Sequence, residues 1–168
     1  LETHKKGAQE YYNSIFELYA EWGVDYIKCD DIANTEIWPD NPYSAKEEIE
    51  MLRKAIDNCG RDMVLSLSPG PAPVWEHEHL AANANMWRMM DDLWDNWAHV
   101  DAVFAEANEW SKYYQSGNYA DCDMLPLGQI SMTIADKGYA NADKGRWTNL
   151  TKNEQYTMMT LWGICHSP

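Results

Sequence analysis

Apolar residues at Ala8, Tyr11, Tyr12, Ile15, Phe16, Tyr19 and Trp22 recur at helical spacing, and Gly23 follows as a stop signal. They predict a helix over 8–22. The pattern then shortens to a continuous β-prone run, Val24–Cys29, which predicts a strand ending at Asp30-Asp31. Asn34–Pro42 reads as loop. Ser44 with Glu47 forms a capping box that opens a second helix, with Ile49, Leu52, Ile56 and Cys59 as its apolar face and Gly60 as its end. Asp62–Ser68 predicts the next strand, stopped by Pro69, Pro71 and Pro73. A helix over 74–83 and a short strand over 85–90 follow. A long helix over 94–114 has Trp97, Val100, Phe104, Ala107 and Trp110 as its expected inner face. A strand within 119–127, a loop over 128–149, a helix from the Thr151/Glu154 capping box to Trp162, and a last strand over 163–166 complete the chain.

Helices and strands alternate throughout, which implies an α/β fold with a parallel sheet. No glycine-rich nucleotide fingerprint follows the first strand, so a nucleotide-binding doubly wound fold loses ground to a (β/α)8 TIM barrel. Five strands do not close a barrel that needs eight. The expectation is therefore that residues 1–168 form the C-terminal part of a catalytic barrel, about strands 4 to 8 only.

The net charge of −14 argues against nucleic acid and anionic membrane surfaces as partners. No apolar run approaches the ~20 residues of a membrane span. Nine Trp and ten Tyr against two Phe supply flat amphipathic faces that suit sugar rings. Cys29, Cys59, Cys122 and Cys165 form no CxxC pair and read as small buried hydrophobes.

Three acidic clusters stand at strand ends: Asp30-Asp31, Asp91-Asp92 and Asp121-Cys122-Asp123. The C-terminal ends of parallel strands are where such folds place their chemistry. Glycoside hydrolysis needs one ionised carboxylate and one protonated one. Lys28 and Asp30 share a strand face, and a neighbouring cation favours an ionised carboxylate, so Asp30 suits the first role. Asp92, among Trp87, Trp94 and Trp97, suits the second if it is desolvated. Asp95 or Asn96 could equally cap the following helix.

Together, Tyr26–Asp31, Met86–Trp97 and Asp121–Leu125 resemble the motifs of glycoside hydrolase family 27, the α-galactosidase and α-N-acetylgalactosaminidase family. The resemblance implies a (β/α)8 barrel, a retaining double displacement on terminal α-D-galactosyl residues, no cofactor and no metal. It also implies a C-terminal β-domain elsewhere in the protein and a secreted or periplasmic location. The substrate it implies is an α-galactoside oligosaccharide or glycoconjugate. On the matching residues, Lys28-Cys29-Asp30 supplies the nucleophile Asp30. Asp92, four residues after Arg88, supplies the acid/base. Lys28, Arg88, Asp123 and Met124 line the sugar site, with Arg88 at the 2-position. Cys122 replaces a proline of the family's Asp-Pro-Asp-Met segment. Ser66 and Ser68 stand where the family reads the 2-substituent, in a pattern closer to bacterial members. The family also includes β-L-arabinopyranosidases and isomalto-dextranases, and its first-strand aspartate pair is expected upstream of Leu1.

Two rival readings differ in class. Asp121-x-Asp123 could be the metal pair of a glycosyltransferase, or the chain could be a non-catalytic carbohydrate-binding domain. Trp75-Glu76-His77-Glu78-His79 resembles a metal cluster, but its histidines are i,i+2 and face apart on a helix. His166 is placed to face the sugar site if it ends a strand. Asn149-Leu150-Thr151 is a glycosylation sequon.

Overall fold

The computed structural model describes residues 2–32, 43, 45–68, 70–130 and 145–167. Its elements are helix α1 (Ala8–Glu21), strand β1 (Tyr26–Cys29), helix α2 (Lys46–Asn58), strand β2 (Val64–Leu67), helix α3 (His77–Asn83), strand β3 (Met86–Arg88), helix α4 (Trp97–Trp110), strands β4 (Tyr119–Asp121), β5 (Gln129–Ile130) and β6 (Arg146–Trp147), and helix α5 (Lys152–Cys165). Strands β1 to β4 form one parallel sheet in sequential order, with Lys28 beside Ser66, Ser66 beside Met86, and Arg88 beside Asp121. Helices separate these strands, as the alternation predicted.

Local chemistry sets the element ends. Gly23, at φ 77°, closes α1 in a Schellman motif, with Val24 N donating to Tyr19 O and Gly23 N to Ala20 O, both at 3.0 Å. A side chain at that φ would be strained. Asn96 caps α4 by accepting from Ala98 N at 2.9 Å. Thr151 and Glu154 form the expected capping box.

The sheet has two unlike faces because strand side chains alternate. Leu65, Leu67, Trp87, Met89 and Cys122 point toward the helices. There they join Phe16 of α1, Ile49, Leu52 and Ile56 of α2, Val100, Val103 and Trp110 of α4, and Met158, Leu161 and Trp162 of α5 in one core. Each such side chain contributes about 1.5–3 kcal/mol by leaving water. The other face carries Tyr26, Lys28, Val64, Ser66, Met86, Arg88, Tyr119 and Asp121.

Three predictions fail. Residues 163–165 continue α5 and form no strand; His166 is its left-handed cap at φ 54°. The described residues thus hold four parallel strands, one fewer than expected. The 128–149 segment contributes an antiparallel pair, β5–β6, where only loop was expected. The inner face of α4 is Val100, Val103 and Trp110, while Trp97 and Phe104 are exposed. The strand expected within 119–127 is present as β4, Tyr119–Asp121. The 34–42 loop and the Ser44 cap lie outside the described residues.

Candidate active site

Parallel pairing brings the C-terminal ends of β1 to β4 to one edge, and the predicted site residues gather there. Asp30 follows β1, Ser68 follows β2, Asp92 stands four residues past Arg88 of β3, and Asp123 two residues past Asp121 of β4. Ile32 N donates to Ser68 O at 3.0 Å, pinning the loop after Asp30 to the end of β2. Asp31, at φ 54°, turns the backbone sharply just after Asp30.

Arg88 is the hub. Its guanidinium is only 4% exposed. Nη1 donates to Asp92 Oδ1 at 2.9 Å and to Ser68 Oγ at 3.3 Å, and Nε donates to Met90 O at 3.1 Å. Asp123 Oδ1 lies 3.2 Å from Nε, but off the hydrogen-bonding direction. One side chain thus touches groups from three strand ends. Two buried atoms at this hub, Arg88 Nη2 and Asp123 Oδ1, have no hydrogen-bond partner.

Asp123 is buried and held in place from several sides. Its Oδ2 accepts from Leu93 N at 2.7 Å, its carbonyl accepts from Trp162 Nε1 at 3.2 Å, and its φ of 76° is unusual for a non-glycine residue. Burial raises its carboxyl above the ordinary range, and hydrogen bonds from Leu93 and Met124 together with Arg88 pull the other way. Asp121 Oδ1 accepts from Asp123 N and from Ser167 Oγ, both at 2.8 Å. Arg88 therefore stands beside Asp123, where the metal-pair reading would put a cation. Among the described residues no group of three or more His, Cys, Asp or Glu is arranged to hold a metal ion.

Two electrostatic expectations are corrected. Lys28 and Asp30 share the site face and are both exposed, yet no ion pair joins them. Asp92 is not enclosed by tryptophans: its side chain is 59% exposed and paired with Arg88, because Trp87 points into the helix layer and Trp94 and Trp97 lie open. Ser66 is buried beneath this edge, and Met124 is partly open beside Asp123.

A family model described as alpha galactosidase A (Melibiase_2) matches residues 3–168. The chain belongs to glycoside hydrolase family 27. Alpha-galactosidase 2 of Arabidopsis thaliana is 28% identical over 90% of this chain, and alpha-galactosidase 3 of the same plant is 34% identical over 71%. A family 27 β-L-arabinopyranosidase from Geobacillus stearothermophilus is 49% identical over the whole chain, with a TM-score of 0.89. A putative α-N-acetylgalactosaminidase from Bacillus halodurans is 46% identical, with a TM-score of 0.73. The chain spans 32% of the first Arabidopsis enzyme and 37% of the Geobacillus one, so the sheet is a fragment of the family 27 barrel.

One pair at the edge of this family 27 site was invisible in the sequence. Asp95 does not cap α4; it accepts from Arg146 Nη2 at 2.8 Å and from Asn149 N at 2.6 Å, fastening the β5–β6 pair to the loop that carries Asp92. Arg146 holds its carboxyl below the ordinary range, against the effect of burial. No local pattern marks the pair, since the partners are 51 residues apart. The histidines have structural partners: His79 meets Tyr43 Oη at 2.9 Å and Glu50 at 3.0 Å, and His77 meets Val74 O at 3.0 Å. His166 meets Tyr114 Oη at 3.1 Å beside α4, away from the strand ends that carry Asp30 and Asp92.

Proposed function

We propose that this chain is the C-terminal part of the catalytic barrel of a retaining exo-glycosidase that removes terminal α-D-galactosyl residues, with Asp30 as nucleophile and Asp92 as acid/base. The observation that carries the reading is the pair of open atoms at the hub. Arg88 Nη2 is a buried donor 3.6 Å from Asp91 Oδ1, and Asp123 Oδ1 a buried acceptor 3.2 Å from Arg88 Nε; both are ion-paired but not hydrogen-bonded, at the strand ends that also bear Asp30 and Asp92. Such atoms cost roughly 1–3 kcal/mol each until a ligand satisfies them. A sugar hydroxyl can serve both.

Asp30 and Asp92 come from strands two apart, about 10 Å between backbones at ordinary strand spacing. Side chains reaching toward a bond between them approach the ~5–5.5 Å separation of retaining enzymes. Asp30 attacks the anomeric carbon while Asp92 protonates the leaving oxygen. Asp92 then takes a proton from the water that hydrolyses the glycosyl-enzyme. A sugar hydroxyl that engages Arg88 loosens its hold on Asp92. Lys28, Ser66, Ser68 and Met124 complete the sugar pocket together with the rest of the barrel, and the complete protein carries a C-terminal β-domain.

A β-L-arabinopyranosidase is the second reading. It is favoured by the 49% identity to the Geobacillus enzyme, against 28–34% for the plant α-galactosidases. The two sugars share ring configuration and differ in the hydroxymethyl group at C5. Nitrophenyl α-D-galactopyranoside and β-L-arabinopyranoside given to the full-length protein separate the readings by kcat/KM. On the preferred substrate, Asp30→Asn is expected to lower kcat by about 1,000-fold or more, some 4 kcal/mol of barrier. Asp92→Asn should slow glycosylation least for good leaving groups. Undiminished turnover by Asp30→Asn would remove the nucleophile assignment.

A further inference from the structure

On the helix side of the sheet, three hydrogen bonds tie the end of α5 to the turn after β4. Trp162 Nε1 donates to Asp123 O at 3.2 Å, Ser167 Oγ donates to Asp121 Oδ1 at 2.8 Å, and Cys122 N donates to Ser167 Oγ at 3.0 Å. Cys165 lies between Trp162 and Ser167 in sequence and shares Trp162's helix face, three residues on. Cys122, just past the end of β4, is fully buried in the core that α5 shares. Cys122 N donates to Ser167, two residues past Cys165, so the two cysteines stand at one β4–α5 junction, and Cys165 is among the side chains that act on the Cys122 thiol. Both are reduced. Cys165 is half-buried and lines a cavity of about 500 Å³ with Trp110, Tyr113, Leu161 and Ile164.

We propose that Cys122 and Cys165 are a dithiol–disulfide pair, oxidised by a low-molecular-weight disulfide that enters through this cavity. The Cys165 thiolate attacks the reagent RSSR. The reagent's S–S bond breaks, RS⁻ leaves, and a mixed disulfide forms on Cys165. Cys122 then loses its proton and attacks the Cys165 sulfur, expelling the second RS⁻. The two protein thiols are oxidised by two electrons, and RSSR is reduced to two RSH, which take up the released protons. Exposure fixes the order, because Cys165 and not Cys122 meets the cavity. The second step is the slow one: burial pushes the Cys122 thiol far above its usual range. The product joins the Asp121–Asp123 turn covalently to α5.

The test is to incubate the full-length protein with oxidised glutathione, quench with acid, digest without reductant and map the peptides by mass spectrometry. The expected result is a Cys122–Cys165 linked peptide that appears faster at higher pH, vanishes on adding dithiothreitol, and is absent from Cys165→Ser. The cross-linked protein should melt several degrees above the reduced form. A stable glutathione adduct on Cys165 without the linked peptide would overturn the proposal. So would two free thiols at 122 and 165 once Cys29 and Cys59 have reacted. Both readouts come from the wild-type protein, so they decide the matter even if the variant fails to fold.

Discussion

Asp95 has a side chain only 3% exposed, and its two strongest partners belong to the β5–β6 segment. Its carboxyl is held low in the folded protein, so as pH falls the unfolded chain binds a proton first. The stabilisation is complete above the unfolded value of about 3.9 and is lost as pH falls through the folded value. Asp95→Asn is expected to cost about 2 kcal/mol near neutrality. The figure stays below that of a fully buried pair because Arg146 is 37% exposed and regains water. The variant should also flatten the acid limb of the thermal midpoint below about pH 4, and an unchanged acid limb would count against this role. That Asp30, Arg88, Asp92 and Asp123 gather at one sheet edge could be read from sequence, because each lies in a short run whose spacing to a strand end is local. Their electrostatic settings could not. Whether Asp92 lies open against Arg88 or closed among tryptophans depends on which sheet face Trp87 takes, and that is a property of packing.

At the scale of elements, α5 supports the turn after β4 through Trp162, which donates to Asp123 O. Its capping box is the best-marked start in the chain, and Thr151→Ala is expected to destabilise the protein by about 1 kcal/mol. Faster amide exchange over 152–155 with unchanged exchange in β2 would show the loss to be local; uniform acceleration would contradict that. The end of this helix was misread because Gly163 and the apolar Ile164-Cys165 resemble a turn and a strand. Met158, Leu161, Trp162 and Cys165 continue the helical period, and their burial against β4 outweighs the roughly 1 kcal/mol cost of a glycine in the last turn. In α4 the core takes Val103 and leaves Phe104 leaning toward α5, a choice of about 100° that spacing alone leaves open. The β5–β6 pair is held by Asp95 rather than by an alternating pattern of its own, so it read as loop.

At the scale of the molecule, the four-stranded sheet presents Tyr26 and Val64 openly on its site face, and its outer strands β1 and β4 have unpaired edges among the described residues. Open edges template association. A net charge of −14 opposes it, but that repulsion is screened within about 8 Å at physiological salt. Residues 1–168 expressed alone are therefore expected to self-associate, more so as salt rises. Light scattering that found a monomer at all salt concentrations would contradict this. Because one guanidinium binds groups from three strand ends, those ends tolerate little independent drift. A substitution at Arg88 would therefore release all three ends together rather than one.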